Sequence, residues 1–222
     1  MPAVSETDWV TRFLPIRAAK VDVQDDRHLV GYAIVFNALS QDLGGYFERI
    51  DPAAVDRTLR AGTNVNALID HRDDSMSVLG STDSGLLSLK KDRQGLKTDI
   101  RPPDTTNARD LITQVKAGLV KGMSFRFRPY DPGGDGSGRV WTEEEVDIEH
   151  MGKKVKVLAP VRTITDMVFS EVSVVVNPAY LQTEVSARNA AADAHALEEF
   201  RSTHGHSRSL ELLAQIARAG IR

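Results

Sequence analysis

The sequence contains no cysteine and few aromatic residues. Among its 222 residues there are 6 His and no Cys, and Phe, Trp and Tyr together make up 6%. Disulfide bonds, thiolate zinc sites and a cysteine nucleophile are therefore excluded. The low aromatic content also argues against a sugar- or nucleotide-binding β-protein, since such grooves are lined by aromatic rings.

Long hydrophobic runs and a strong charge of one sign are also missing. No apolar stretch approaches the roughly 20 residues that span a bilayer, and the N-terminal segment with Glu6 and Asp8 lacks the apolar region of a secretory signal. The formal net charge of -3 gives no reason to expect direct nucleic-acid binding. With 41% apolar residues, enough to fill a core, we expect an intracellular soluble protein without a membrane partner.

Short β-strand patterns separated by turns dominate the chain. Residues 15–36 predict a hairpin whose turn is Asp25-Asp26-Arg27. Further strands are predicted at residues 46–50, 65–70, 78–79, 86–89, 96–100, 121–128, 140–146, 155–165 and 167–176. Because strands do not alternate with helices, the pattern predicts a mainly β (α+β) fold, an antiparallel barrel or sandwich with helices at its edge.

Two helices and a C-terminal tail complete this organisation. Asp51 as N-cap and Pro52 at the first position predict a helix that runs to about residue 60, and a second helix is predicted over residues 105–117. The composition changes after about residue 185. We interpret residues 1–185 as one domain and residues 186–222 as a tail that need not pack on it, with an amphipathic helix over 209–219.

The most informative segment is residues 121–128, which alternates with period two. Its apolar side chains point to one face, and the other face carries Ser124, Arg126 and Arg128. A serine is thus held on rigid backbone beside two cations and could be a nucleophile. The alternative is a solvated strand serine, and without a Gly-x-Ser-x-Gly motif nothing indicates an α/β-hydrolase.

Two further residues could serve such a nucleophile. His71 ends an apolar strand and lies among aspartates, which stabilise an imidazolium; the alternative is a surface turn histidine. Glu171 is the only charged residue inside an apolar strand, so its burial demands a partner. That partner is either an Arg or Lys in a structural ion pair, which we favour from the pattern alone, or a His N–H. Asp166 is a rival carboxylate on the same segment.

The remaining histidines and glycines predict no cofactor chemistry. His204 and His206 form a His-x-His pair in the tail, but no further ligands follow at a suitable spacing, so we predict no metal site and no cofactor. The glycine-rich residues 131–138 do not open a helix after a buried strand. They therefore predict a flexible connection and not a phosphate-binding loop.

Several short segments follow one another along the chain in an order and at a spacing that are typical of one family. They are residues 31–36, 50–55, Leu68-Ile69-Asp70-His71 with 79–81, 118–127, and 171–175 with Asn177-Pro178-Ala179. Together they resemble the prohead (capsid maturation) serine proteases of tailed bacteriophages and prophages over roughly residues 15–185. The resemblance implies a fold like that of the herpesvirus assembly protease, a closed antiparallel β-barrel with a few peripheral helices.

The resemblance also implies a site and a role. His71, Ser124 and Glu171 match the catalytic residues of a serine endopeptidase, with Arg126 and Arg128 as weaker candidates for electrostatic help on the substrate or oxyanion side. For these two arginines a salt bridge at the rim of the barrel is the alternative, and the one that we favour.

The biological setting follows from the same resemblance. The implied substrates are the scaffolding segment of the capsid protein or a separate scaffold, and the protease itself, inside the assembling procapsid in the bacterial cytoplasm. Such a chain is expected to form a homodimer or larger oligomer, and self-cleavage could remove the tail. The second hypothesis is a non-catalytic capsid assembly or scaffold protein, which would not require Ser124 and His71 to lie within hydrogen-bond reach.

Overall fold

The described residues form twelve strands in three separate sheets. The computed structural model describes residues 10–13, 21–24, 27–43, 45–134, 136–150, 153–176 and 197–203. The strands are β1 (Val10–Phe13), β2 (Val21–Gln24), β3 (His28–Val35), β4 (Phe47–Ile50), β5 (Asn66–Ile69), β6 (Val78–Ser81), β7 (Leu87–Lys91), β8 (Gly95–Ile100), β9 (Val120–Pro129), β10 (Arg139–His150), β11 (Lys153–Ile164) and β12 (Met167–Val176). Sheet A has the order β1-β9-β12-β5-β6, sheet B the order β2-β3-β8-β7, and sheet C the order β10-β11-β4.

The expected closed antiparallel barrel of the herpesvirus-protease type is wrong. Within the described ranges no sheet closes on itself, because each ends in two edge strands. The pairing is also not uniformly antiparallel, since β12 pairs with β5, and β11 with β4, in parallel. Alternation and turn residues predict where strands lie, whereas barrel closure depends on long-range register and strand tilt that no local pattern specifies.

The two predicted helices are confirmed with small changes of boundary. The helical segments are a 3₁₀ turn (Pro52–Val55) that continues into α1 (Asp56–Ala61), α2 (Thr106–Lys116) and α3 (197–203). The Asp51 carboxylate accepts the N–H of Ala53 at 2.7 Å, as an N-cap does, and Gly62 ends α1 with a left-handed φ of 59°. Leu111 and Val115 bury the apolar stripe of α2 against the core.

The main core lies between sheets A and B. On sheet A it is built from one face of β9 and β12, where Met123, Phe125, Phe127 and Phe169 are completely buried. Sheet B contributes Leu29, Ile34, Leu96 and Ile100. The predicted alternation of β9 is confirmed, and it leaves Ser124 on the face of sheet A that points away from this core.

Part of the predicted tail is helical and packs on sheet C. The Phe200 ring of α3 stacks on Trp141 with centroids 5.7 Å apart, and Arg201 Nη2 donates to the Gly45 carbonyl oxygen at 3.4 Å. The predicted helix over residues 209–219, the strand stop at Asn177-Pro178 and the turn residues 25–26 lie outside the described residues. The division of the chain near residue 185 stays a prediction.

Candidate active site

Ser124 lies in the middle of β9, between two neighbouring strands of sheet A. Its Cα partners are Phe13 of β1 on one side and Ser173 of β12 on the other. The residues before and after it in β9 are core residues, which fixes the backbone of the strand. Ser124 itself is completely buried.

A β-bulge in β12 brings Glu171 to the Ser124 side of the sheet. The Cα register with β9 shifts between Phe169 and Glu171, so Ser170 is an extra residue. Phe169 before the bulge and Val172 after it both point into the core, although their numbers differ in parity. Unbroken alternation would have pointed Glu171 and Ser173 into the core. The bulge instead places both side chains on the opposite face of the sheet, which is the face of Ser124.

His71 lies in a tight turn that follows β5. Both Asp70 (φ 49°) and His71 (φ 57°) have left-handed backbone conformations, which for non-glycine residues cost on the order of 1–2 kcal/mol each. The turn is held by β12: the Asp70 N–H donates to the Val174 carbonyl oxygen at 3.1 Å, and the His71 N–H donates to Ser173 Oγ at 3.2 Å. Because β5 and β12 run parallel, the turn after β5 lies at the edge of the sheet where β12 also ends.

The side chains of Ser124, His71 and Glu171 form a continuous series of contacts. His71 Nε2 lies 2.7 Å from Ser124 Oγ, and His71 Nδ1 is hydrogen-bonded to Glu171 Oε1. An ionised carboxylate only accepts hydrogen bonds, so Nδ1 carries the imidazole proton and Nε2 accepts the Ser124 hydroxyl. The side chains of His71 and Glu171 are only 11% and 3% exposed, so this series is largely shielded from water.

Ser173 connects two members of this series, and sequence reasoning missed it. Its Oγ accepts the His71 N–H at 3.2 Å and donates to Glu171 Oε1 at 3.3 Å. A single buried hydroxyl thus ties the backbone of His71 to the carboxylate that its ring contacts. The signal that could have found it is its position two residues after Glu171, which puts both side chains on one face of the strand.

The Arg126 guanidinium binds the turn that carries His71. Its Nη1 lies 3.0 Å from Asp73 Oδ2, its Nη2 donates to the His71 carbonyl oxygen at 3.1 Å, and Nη2 lies 3.9 Å from Glu171 Oε2. From the sequence we favour a salt bridge at the rim of a barrel for Arg126. The structure has a salt bridge, but its partner is Asp73 in the turn that carries His71. Arg128 is half-buried and lies opposite Val168, further from Ser124 along β9.

The rival carboxylate Asp166 belongs to a different contact. Arg57 Nε donates to Asp166 Oδ1 at 2.9 Å, and this hydrogen bond raises the pKa of the Arg57 guanidinium. The guanidinium also lies over the Tyr130 ring, 3.4 Å from its centroid. In the described ranges no three His, Asp or Glu side chains are grouped as metal ligands would be.

A serine, an imidazole and a carboxylate in hydrogen-bond series are typical of serine hydrolases. The family comparison leads to the same class: the chain belongs to the caudovirus prohead serine protease family, whose model matches residues 14–198. It is therefore a serine peptidase, a hydrolase of peptide bonds, with a role in bacteriophage capsid maturation. The predicted family is thus confirmed, and the match extends past residue 185 into α3.

Two other comparisons give no relatives. No curated protein and no solved structure matches the chain. Among the described helices, none is long and apolar enough to cross a membrane.

Proposed function

We propose that Ser124 is the nucleophile of this peptidase, that His71 is its general base and acid, and that Glu171 orients and stabilises the His71 ring. The observation that supports this most directly is the 2.7 Å separation of Ser124 Oγ and His71 Nε2, which is within reach for direct proton transfer. The contact between His71 and Glu171 on the other side of the ring supplies the third member.

The positions of Ser124, His71 and Glu171 fit the acylation of Ser124 by a peptide substrate. Ser124 Oγ attacks the carbonyl carbon of the scissile peptide bond while its proton moves to His71 Nε2. The resulting imidazolium carries a positive charge that the Glu171 carboxylate stabilises. When the tetrahedral intermediate collapses, the C–N bond breaks and Nε2 gives the proton to the leaving amine, which leaves an ester on Ser124.

Deacylation uses the same groups in reverse. Water attacks the ester carbonyl and gives its proton to His71 Nε2. The C–O bond to Ser124 then breaks, and the proton returns from Nε2 to Ser124 Oγ. The products are the carboxylic acid and the free enzyme.

The substrates that fit this proposal are capsid proteins inside the procapsid. We infer that the protease removes the scaffolding segment of the major capsid protein or a separate scaffold, and that it also cleaves itself and releases the tail. Family membership supports the capsid substrates. Because Arg126 is bound to Asp73 and to the His71 carbonyl oxygen, we assign it to holding the His71 turn and not to binding acidic substrate residues. That the chain acts as a homodimer or larger oligomer stays a prediction.

Co-expression with the major capsid protein of the same phage tests the proposal. Intact-mass analysis should show trimming of the capsid protein, of the protease, or of both with the wild-type chain and no trimming with Ser124→Ala. Ser88→Ala is the matched control, because Ser88 is an exposed serine of β7 in sheet B and lies outside the contact series. Equal trimming by wild type and Ser124→Ala would exclude Ser124 as the nucleophile.

A further inference from the structure

We propose that the edge of β9 beside Ser124 is the site where substrate backbone binds as an added β-strand, and that β1 occupies this site in the free protein. The inference rests on the proposed role of Ser124 as nucleophile. It assigns the ligand by class: an extended polypeptide that offers backbone N–H and C=O groups to β9.

The register of β1 gives the first argument. β1 runs antiparallel to β9, with Val10 opposite Phe127 and Phe13 opposite Ser124. An extended segment of this same chain therefore lies along the strand that carries the nucleophile, and it ends beside that nucleophile. A substrate held in the same register would bring one of its peptide groups next to Ser124, which an attack by Oγ requires.

The burial of Ser124 gives the second argument. Because Ser124 is completely buried, a peptide bond reaches Oγ only after something beside it has moved. In the described part of the sheet β9 has two neighbours, β12 and β1. β12 holds Glu171 and Ser173 and pairs with β5 on its other side, so it is part of the site. β1 is the neighbour that can leave without dismantling the contact series.

The extent of the family match gives the third argument. The match begins at residue 14, immediately after β1. β1 is four residues long and, among the described strands, pairs with β9 alone. β1 thus lies outside the matched residues and pairs with the strand that carries the proposed nucleophile. We conclude that β1 competes with substrate for one strand-binding site.

The rate at which a small fluorophosphonate labels Ser124 in the full-length chain tests this competition. Alternate N–H groups of an antiparallel strand face its neighbour, so one of Thr11→Pro and Arg12→Pro removes a hydrogen bond to β9 and the other does not. We expect labelling in one of these two variants to be at least about tenfold faster than in wild type, because the open state becomes more populated. Ser88→Pro in β7, an edge strand of sheet B, is the matched control and should leave the rate unchanged.

The outcomes separate this inference from the proposed function. Equal labelling rates in wild type and both β1 variants would overturn the strand-binding site and leave Ser124 as the nucleophile. Failure of Ser124 to react in any variant would remove the proposed nucleophile, and the inference would fall with it.

A second measurement needs no change in β1. A peptidyl phosphonate with the sequence Val-Thr-Arg-Phe, taken from residues 10–13, should form a covalent bond with Ser124 of the full-length wild-type chain. The backbone amides of residues 10–13 should then exchange with solvent at least about tenfold faster, because the inhibitor has taken their place on β9. Exchange in β7 of sheet B should not change. Unchanged protection of residues 10–13 after modification of Ser124 would overturn the inference.

Discussion

Two carboxylates are buried in neighbouring parts of this molecule, and they differ in what surrounds them. In sheet C the Glu48 carboxylate accepts from Arg162 Nε at 2.8 Å and lies 2.6 Å from its Nη2, and both residues are almost completely buried. The guanidinium lies near both the Tyr46 and the Trp141 ring, 5.1 and 5.7 Å from their centroids. Arginine stays protonated at all ordinary pH values, so this pair is fixed in one charge state.

The carboxylate in sheet A contacts a group that can change its charge. Glu171 is hydrogen-bonded to the His71 ring, and that ring contacts the Ser124 hydroxyl. The backbone of His71 is held in a left-handed turn by Ser173 and Arg126. The comparison indicates that burial of a carboxylate does not by itself mark a functional site; a titratable partner, a nucleophile and a strained backbone do.

Removal of the nucleophile should have the largest effect. Ser124→Ala should lower peptidase activity at least about 10⁴-fold, because no other hydroxyl takes its place in the contact series. The free energy of unfolding should change little, since the side chain loses only one oxygen atom. Hydrolysis of a fluorogenic peptide and urea unfolding, measured on the same preparation, check the two parts. A large loss of stability would mean that Ser124 is chiefly a structural residue.

Glu171→Gln should come second, with a loss of roughly 10³–10⁴-fold in kcat. An amide can donate its N–H to His71 Nδ1, which favours the tautomer that has its proton on Nε2. That ring nitrogen then cannot accept the Ser124 proton. Steady-state kinetics would measure the loss, and activity within tenfold of wild type would show that Glu171 is a structural residue like Glu48.

Glu48→Ala should show the opposite behaviour. It removes the carboxylate that balances a buried guanidinium, so we expect the free energy of unfolding to fall by about 3–5 kcal/mol. The double variant Glu48→Leu with Arg162→Met should recover most of this loss, because an apolar pair of similar volume replaces the ions. Urea unfolding measures both changes. A folded Glu48→Ala variant with strongly reduced kcat would contradict the claim that Glu48, unlike Glu171, contributes only to stability.

Ser173→Ala should have a smaller effect on catalysis. Without its hydroxyl the His71 N–H loses its acceptor and Glu171 loses a donor, so we expect kcat to fall about tenfold with KM nearly unchanged. Ser88→Ala in β7 of sheet B again serves as the control. An equal loss in both variants, or a change confined to KM, would show that Ser173 does not position the ring.

The smallest effect concerns Asp92, a half-buried carboxylate outside the active site. The hydrogen bond from Tyr32 to Asp92, 2.7 Å long, lowers the pKa of Asp92. Its contribution to stability is therefore present above the ordinary pKa of aspartate and is lost as the pH falls through the lowered folded value. Tyr32→Phe should slightly raise the midpoint of acid unfolding without changing kcat. Circular dichroism across an acid titration measures the shift, and an unchanged midpoint would contradict it.

Local features of the fold could be predicted from the sequence because each depends on a few adjacent residues. Asp51 with Pro52 marks a helix start, Gly62 a helix end, and the alternation around Ser124 a half-buried strand. The arrangement of strands into three sheets depends on contacts between distant segments, and the predicted barrel was therefore wrong.

The site shows the same limit. Ser124, His71 and Glu171 could be selected by residue type and by resemblance, but their contacts depend on the bulge at Ser170 and on the turn before Arg72. The pattern alone favoured an Arg or Lys partner for Glu171. The structure shows its hydrogen bond to His71, with Arg126 at a longer distance on the other oxygen.

The most direct test of the central claim is to locate and time the reaction of a fluorophosphonate with three full-length proteins. They are wild type, Glu171→Gln and Glu48→Gln. The account predicts a covalent adduct on Ser124 and on no other serine, formed at least about 100-fold more slowly in Glu171→Gln and at the wild-type rate in folded Glu48→Gln. An adduct on another serine, or equal rates in wild type and Glu171→Gln, would contradict the account.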